Sequence, residues 1–79
     1  MQDIEQIYTK YAVQVYKYLF SLCRDPHTAE ELTQETFFRA MKSIDSFRGE
    51  CRLYVWLCQI AKNLWIKERR RQQRVDREE

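Results

Sequence analysis

Glycine and proline occur once each in the 79 residues, as Gly49 and Pro26. Turn-rich β architectures need many more such positions, so they are excluded and long uninterrupted helices are favoured. Cysteine is sparse as well. Cys23, Cys51 and Cys58 are odd in number, lack CxxC spacing and form no zinc pattern with the lone His27, so neither a disulfide framework nor a metal site is expected. No apolar run approaches a membrane span, and the opening "MQDIEQIYTKY" lacks the basic and apolar regions of a secretion signal. A reducing, cytoplasmic setting without membrane insertion is expected. A glycine-rich phosphate loop is missing and His27 has no nucleophile to serve, which leaves binding rather than catalysis as the expected class, with no cofactor.

What is present fits one small domain spanning 1–79: 44% apolar residues, 14% aromatic, and length for a single modest core. The net charge of +2 hides an asymmetry. Residues 1–51 carry six Lys/Arg and eight Asp/Glu, whereas 52–77 carry eight Lys/Arg and two Asp/Glu. A mildly acidic half and a strongly basic half point to two different partners, the basic one suited to a polyanion.

The expected fold is all-α, with three main helices and a structured loop between the second and third. Ile4, Ile7, Tyr8, Tyr11, Val15, Tyr18, Leu19 and Leu22 fall at helical spacing and form the packing stripe of a first helix. Asp25-Pro26 ends it and opens a second, since proline suits the first turn and Asp25 can cap it; Thr28 with Glu31 offers a slightly later capping-box start. On this second helix Ala29, Leu32, Thr33, Thr36, Phe37 and Ala40 share one side, and Glu31, Gln34, Glu35, Phe38 and Lys42 project from the other. Phe38, ringed by carboxylates and an amide, is either an ordinary exposed apolar residue or the anchor of a protein interface.

"SIDSFRGECRL" reads as the structured loop. Leu53, Trp56, Leu57, Ile60, Ala61 and Leu64 then make the buried stripe of a third helix, with Gln59, Asn63, Ile66 and Arg70 along one flank. Its cationic end, Lys67, Arg69, Arg70, Arg71 and Arg74, is expected to fray near "VDREE", and 67–79 to begin an interdomain linker. Those cations can neutralise phosphates, and Trp56, Trp65, Phe47 and Tyr54 offer faces for unstacked bases. The plain alternative is a solvated helix end, where cations favour the C-terminal dipole. Asn63 is in most helices merely a solvated polar residue, yet its amide can both donate to and accept from a base edge.

"AEELTQETFFRAMKSIDSFRGE", followed by "WLCQIAKN" and a basic helix, resembles region 2 of a bacterial sigma factor of the extracytoplasmic-function group (group IV) of the sigma-70 family. The likeness covers roughly residues 4–74, with both motifs in the family's order. It implies an all-helical domain that docks on the β′ clamp helices of RNA polymerase core and captures the melted non-template strand of the minus-ten promoter element; an anti-sigma factor is a further candidate partner. Carried over by position, "ELTQE" puts Glu31, Gln34 and Glu35 on the core-binding surface, beside Phe38 on the same outer face. The resemblance maps Phe47 and the "DSFRGE" loop onto the receptor of a flipped base, and Asn63 onto a contact with the same element. Arg48, Gln59, Lys62, Lys67, Arg69, Arg70 and Arg71 complete the expected DNA-binding set. Phe47 and Asn63 are expected to face one another across the loop, with the arginines on phosphates.

Such a protein favours the open duplex by its differential affinity for the melted strand, without ATP or a catalytic residue. Cys51 departs from the serine or alanine of many members, a tolerance rather than a sensor. The second helical domain of complete factors, which reads the minus-thirty-five element, does not lie in these residues, so a piece of a longer factor is expected. Two other readings remain. A small helix-turn-helix protein would need a tighter turn than Ser43–Glu50, and a helical docking module would use its basic tail on an acidic protein or membrane surface.

Overall fold

The computed structural model describes residues 4–49 and 51–77, with side chains through Gln73. Three helices, α1 (Ile4–Cys23), α2 (Pro26–Ser43) and α3 (Leu53–Arg77), all pack against one another, and no strand occurs among the described residues. A 3-10 turn, Ile44–Ser46, extends the end of α2. The fold is all-α, as the composition requires.

The hinge between α1 and α2 is only two residues long. Arg24 adopts φ 58°, the left-handed conformation that lets its N–H reach the Phe20 carbonyl at 2.9 Å and closes α1. Asp25, extended at φ −132°, then caps α2: its carboxylate accepts from the His27 N–H at 3.3 Å and from the Thr28 hydroxyl at 2.6 Å. Of the two starts legible in the sequence the earlier is used. Pro26 occupies the first turn, and Thr28 serves the Asp25 cap instead of being one.

The core is small and drawn from all three helices. Ile7, Val15 and Leu19 of α1 meet Ala29, Leu32, Phe37 and Ala40 of α2 and Leu57, Ala61 and Leu64 of α3. Thr33 and Thr36 enter it because their hydroxyls donate to the Ala29 and Leu32 carbonyls at 2.7 Å, leaving neither hydroxyl unsatisfied. The whole inner face of α2 is thus the one read from its spacing. On α1 the expected stripe is too wide: Tyr8 and Leu22 remain 45% and 38% exposed, since two neighbouring helices cannot cover so broad an arc. Tyr8 instead sets its ring against Phe37 at 4.9 Å, edge to face.

Between α1 and α3 the seam is aromatic. Tyr11 stacks on Tyr54 at 6.1 Å, and the Tyr54 hydroxyl, hydrogen-bonded to Cys58 and partly desolvated, has its pKa pushed up; burial does the same to Tyr18. The three cysteines are free thiols. The backbone of α3 is helical to Arg77, within the stretch "VDREE" where fraying is expected, and Leu64 is its last buried residue among those described. Glu78 and Glu79 lie outside the described residues. No helix among those described is long and apolar enough to cross a membrane.

Candidate functional site

Because α2 commits Ala29, Leu32, Thr33, Thr36, Phe37 and Ala40 to the core, its outer face must present Glu31, Gln34 and Phe38 to solvent, with Glu35 half-buried beside them. Phe38 is 48% exposed. Its ring is not edged by carboxylates alone, because the Lys42 ammonium lies 4.3 Å from its centroid, one turn on. Glu35 accepts from Arg39 Nε at 3.1 Å, and Glu31 sits 3.6 Å from His27 Nε2. Phe38 continues into a neighbouring apolar hollow with Met41, Phe37, Tyr8 and Ile4.

The second surface lies on the loop and α3. After the 3-10 turn, Gly49 at φ 74° takes a conformation that a side chain would strain, although a Cβ there would meet nothing. The turn lays Phe47 on Trp56, ring centroids 5.0 Å apart. Both rings line a hollow of about 230 Å³ with Ser46, Arg48, Cys51 and Gln59. That is below the usual volume of a small-molecule site, roughly 300–1,000 Å³, and suits a single flat ring. Glu50, the last residue of the "DSFRGE" loop, lies outside the described residues.

Asn63 does not face Phe47. It lines a different hollow, of about 410 Å³, with Arg39, Lys42 and Ser43 from the end of α2 and Ile60, Leu64 and Lys67 from α3. The reason is geometric. Phe47 rests on Trp56, and seven residues of helix from Trp56 to Asn63 rise about 10 Å. Gln59, one turn before Asn63, belongs to the Phe47 hollow and leaves the two sites adjacent along one exposed flank.

The remaining cations divide into two kinds. Lys62, Lys67, Arg69 and Arg70 are exposed, and none of them has an ion-pair partner among the described residues. Arg71 is held by Glu68, through Nη2 at 2.8 Å and Nε at 3.2 Å, and Gln72 adds a third hydrogen bond to that carboxylate. The Arg71 bond draws the Glu68 pKa below the carboxylate range and raises that of Arg71. By sequence Arg71 groups with the other cations, whereas the structure pairs it with Glu68. Sequence spacing also missed Arg39, which lines the same hollow as Asn63 because α2 packs on α3.

Residues 7–75 match the family model described as Sigma-70 region 2. Among curated relatives, the ECF RNA polymerase sigma factor SigM of Bacillus subtilis (strain 168) is 43% identical over 63 residues, covering 80% of this chain and 38% of the relative. The RNA polymerase sigma factor YlaC of the same organism is 37% identical over 69 residues, 87% of this chain and 40% of the relative. The ECF RNA polymerase sigma factor BldN of Streptomyces coelicolor is 40% identical over 60 residues, 75% and 23% respectively. The chain therefore spans two-fifths or less of the length of these relatives. With the match running from the first core residue of α1 into the basic end of α3, the chain belongs to the Sigma-70 region 2 family.

Proposed function

We propose that this chain acts in transcription initiation, docking on RNA polymerase core through the outer face of α2 and holding the melted minus-ten strand of promoter DNA on the loop and α3. The family match over residues 7–75 carries this reading. The geometry agrees with it in two places. Glu31, Gln34 and Glu35 form an acidic and polar surface around the exposed Phe38 ring, the composition of an interface anchor and its rim. The Phe47 hollow offers a tilted aromatic pair at a scale that fits one unstacked base, with Arg48 and Gln59 at its rim.

In this mechanism the β′ clamp helices of the core are the protein partner, and the work is done by differential binding. The melted strand gains stacking and hydrogen bonds that the duplex cannot offer, so the open state is favoured without a chemical step. Lys62, Lys67, Arg69 and Arg70 supply phosphate contacts that hold the strand without reading it. The basic continuation of α3 leads toward the remainder of a longer factor, in the cytoplasm where transcription occurs.

The test is retention of polymerase core by the immobilised chain, together with its binding to single-stranded minus-ten oligonucleotides. Glu35→Lys and Phe38→Ala should each weaken core retention by about tenfold, the scale of a lost charge-assisted contact or apolar anchor, while leaving oligonucleotide binding no weaker. Core retention unchanged by both substitutions would remove α2 from the interface.

A further inference from the structure

Helix α1 carries a second seam on the face turned away from the core. Ile7, Val15 and Leu19 are buried, while Gln6, Lys10, Val13, Lys17 and Phe20 are all exposed and follow one another at spacings of four, three, four and three. That is the heptad period, which keeps a line of side chains facing a second helix, here over about 21 Å. Val13 is 63% exposed, more than any other large apolar residue described, and Phe20 is stacked on Tyr16 at 6.2 Å. Neither lysine forms an ion pair among the described residues, and Glu5 is the only acidic residue of α1. The core uses none of the five seam residues.

We propose that this seam docks an amphipathic helix of another protein, one with apolar side chains at one heptad position and carboxylates at the other. Charge complementarity sets the occupant. Lys10 and Lys17 alternate with Val13 and Phe20, so apolar side chains of the partner meet Val13 and Phe20 while its carboxylates reach the two ammonium groups. On the α2 side Glu30 shares a hollow with Val13 and Tyr16, and a cation on the partner's nearer flank completes the match. The same carboxylate disfavours a flat anionic surface, lipid or duplex, laid along α1. A second copy of the chain is disfavoured as well, since it would bring four lysines, two from each copy, into one seam without an acid.

The seam lies across α1 from its buried residues and shares none of them with the outer face of α2 or with the Phe47 hollow. Gln34 alone borders both α surfaces, on the far bank of the hollow that holds Val13. A helix seated on the seam therefore adds a third partner and leaves core and strand binding intact. The inference stands apart from the proposed function.

Fluorescence anisotropy with a labelled helical peptide of about 21 residues, three heptads with leucine at one seam position and glutamate at the other, tests this. The chain should bind it about tenfold more tightly than a scrambled peptide of the same composition. Lys10→Glu together with Lys17→Glu should weaken the peptide about tenfold and create a preference for a peptide with lysine in place of glutamate, whereas Phe20→Ser should weaken both peptides. Circular dichroism should show unchanged helix content, since every substituted side chain is exposed. Retention of polymerase core should stay at the parent's level. Equal binding of ordered and scrambled peptides, or no response to the charge reversal, would overturn the seam. So would loss of core retention in the double lysine variant, which would give this face to the polymerase. Lysine-dependent binding to phosphatidylserine vesicles without binding of the peptide would make the partner a lipid surface, and dimerisation abolished by Phe20→Ser would make it a second copy; either overturns the proposal.

Discussion

Arg24 and Asp25 show how much a two-residue hinge constrains. A left-handed φ of 58° costs an L-residue roughly 1–2 kcal/mol, which glycine would relieve, less the part offset by its freer unfolded chain. Arg24→Gly is expected to raise the melting temperature by a few degrees, read by circular dichroism. The Asp25 carboxylate has its pKa lowered, chiefly by the Thr28 hydroxyl and further by the His27 and Thr28 amides. A depressed folded-state pKa means that its contribution is complete above the unfolded carboxylate value, about 3.9, and is lost as pH falls through the lower folded value. Asn caps nearly as well without titrating, so Asp25→Asn should match the parent near neutrality and show a shallower fall in melting temperature below about pH 4. Phe47 combines two roles: its ring packs on Trp56 and still lines an open hollow. Its removal should cost about 0.5–1.5 kcal/mol of stability through the aromatic pair, measurable by denaturant unfolding apart from any loss of base preference.

The legibility of each helix follows from how much of its apolar arc its two neighbours cover. Helix α2 lies between two others, and its Ala29-to-Ala40 face could be read residue by residue because a 3.6-residue period leaves one arc for burial. On α1 the apolar spacing predicts a wider stripe than is buried: Tyr8 meets Phe37 of α2 edge to face yet stays 45% exposed, and Leu22 is 38% exposed. The separation of Phe47 from Asn63 was not legible at all. It depends on where a loop with one positive-φ glycine lays its phenylalanine, and periodicity does not encode loop paths. On α3 the arginine run read as uniform, whereas the (i, i+3) partner Glu68 sets Arg71 apart. Arg69→Ala and Arg70→Ala should therefore each flatten the salt dependence of strand binding by about 0.7, and Arg71→Ala by distinctly less. Equal effects at all three positions, in an anisotropy series with single-stranded oligonucleotides over salt, would show that Glu68 releases Arg71 on binding.

At the scale of the molecule, extents of 48 × 22 × 17 Å describe a rod rather than a ball, because the 25 residues of α3 alone run about 37 Å. Helix α1 carries one acidic and two basic residues and α2 three acidic and two basic, so the cationic excess of the described helices lies on α3. Ten buried apolar residues are the whole described core. A domain of this length holds a total stability on the order of 4–12 kcal/mol, and Leu57→Ala, removing a fully buried side chain, should cost about 2–5 kcal/mol of it. Thermal melting of that variant is expected to begin near ambient temperature.

So slight a core has a consequence for lifetime. Helical hairpins with short hinges form in microseconds to milliseconds, and a small reserve of stability means that the chain also opens often enough for a protease to find it. Any partner that binds only the closed form suppresses that opening by mass action: at a hundredfold excess over Kd it adds about 2.7 kcal/mol, which slows cleavage through the open form by about a hundredfold. The abundance of such a protein is then governed by its occupancy, and molecules without a partner are the first to be cleared.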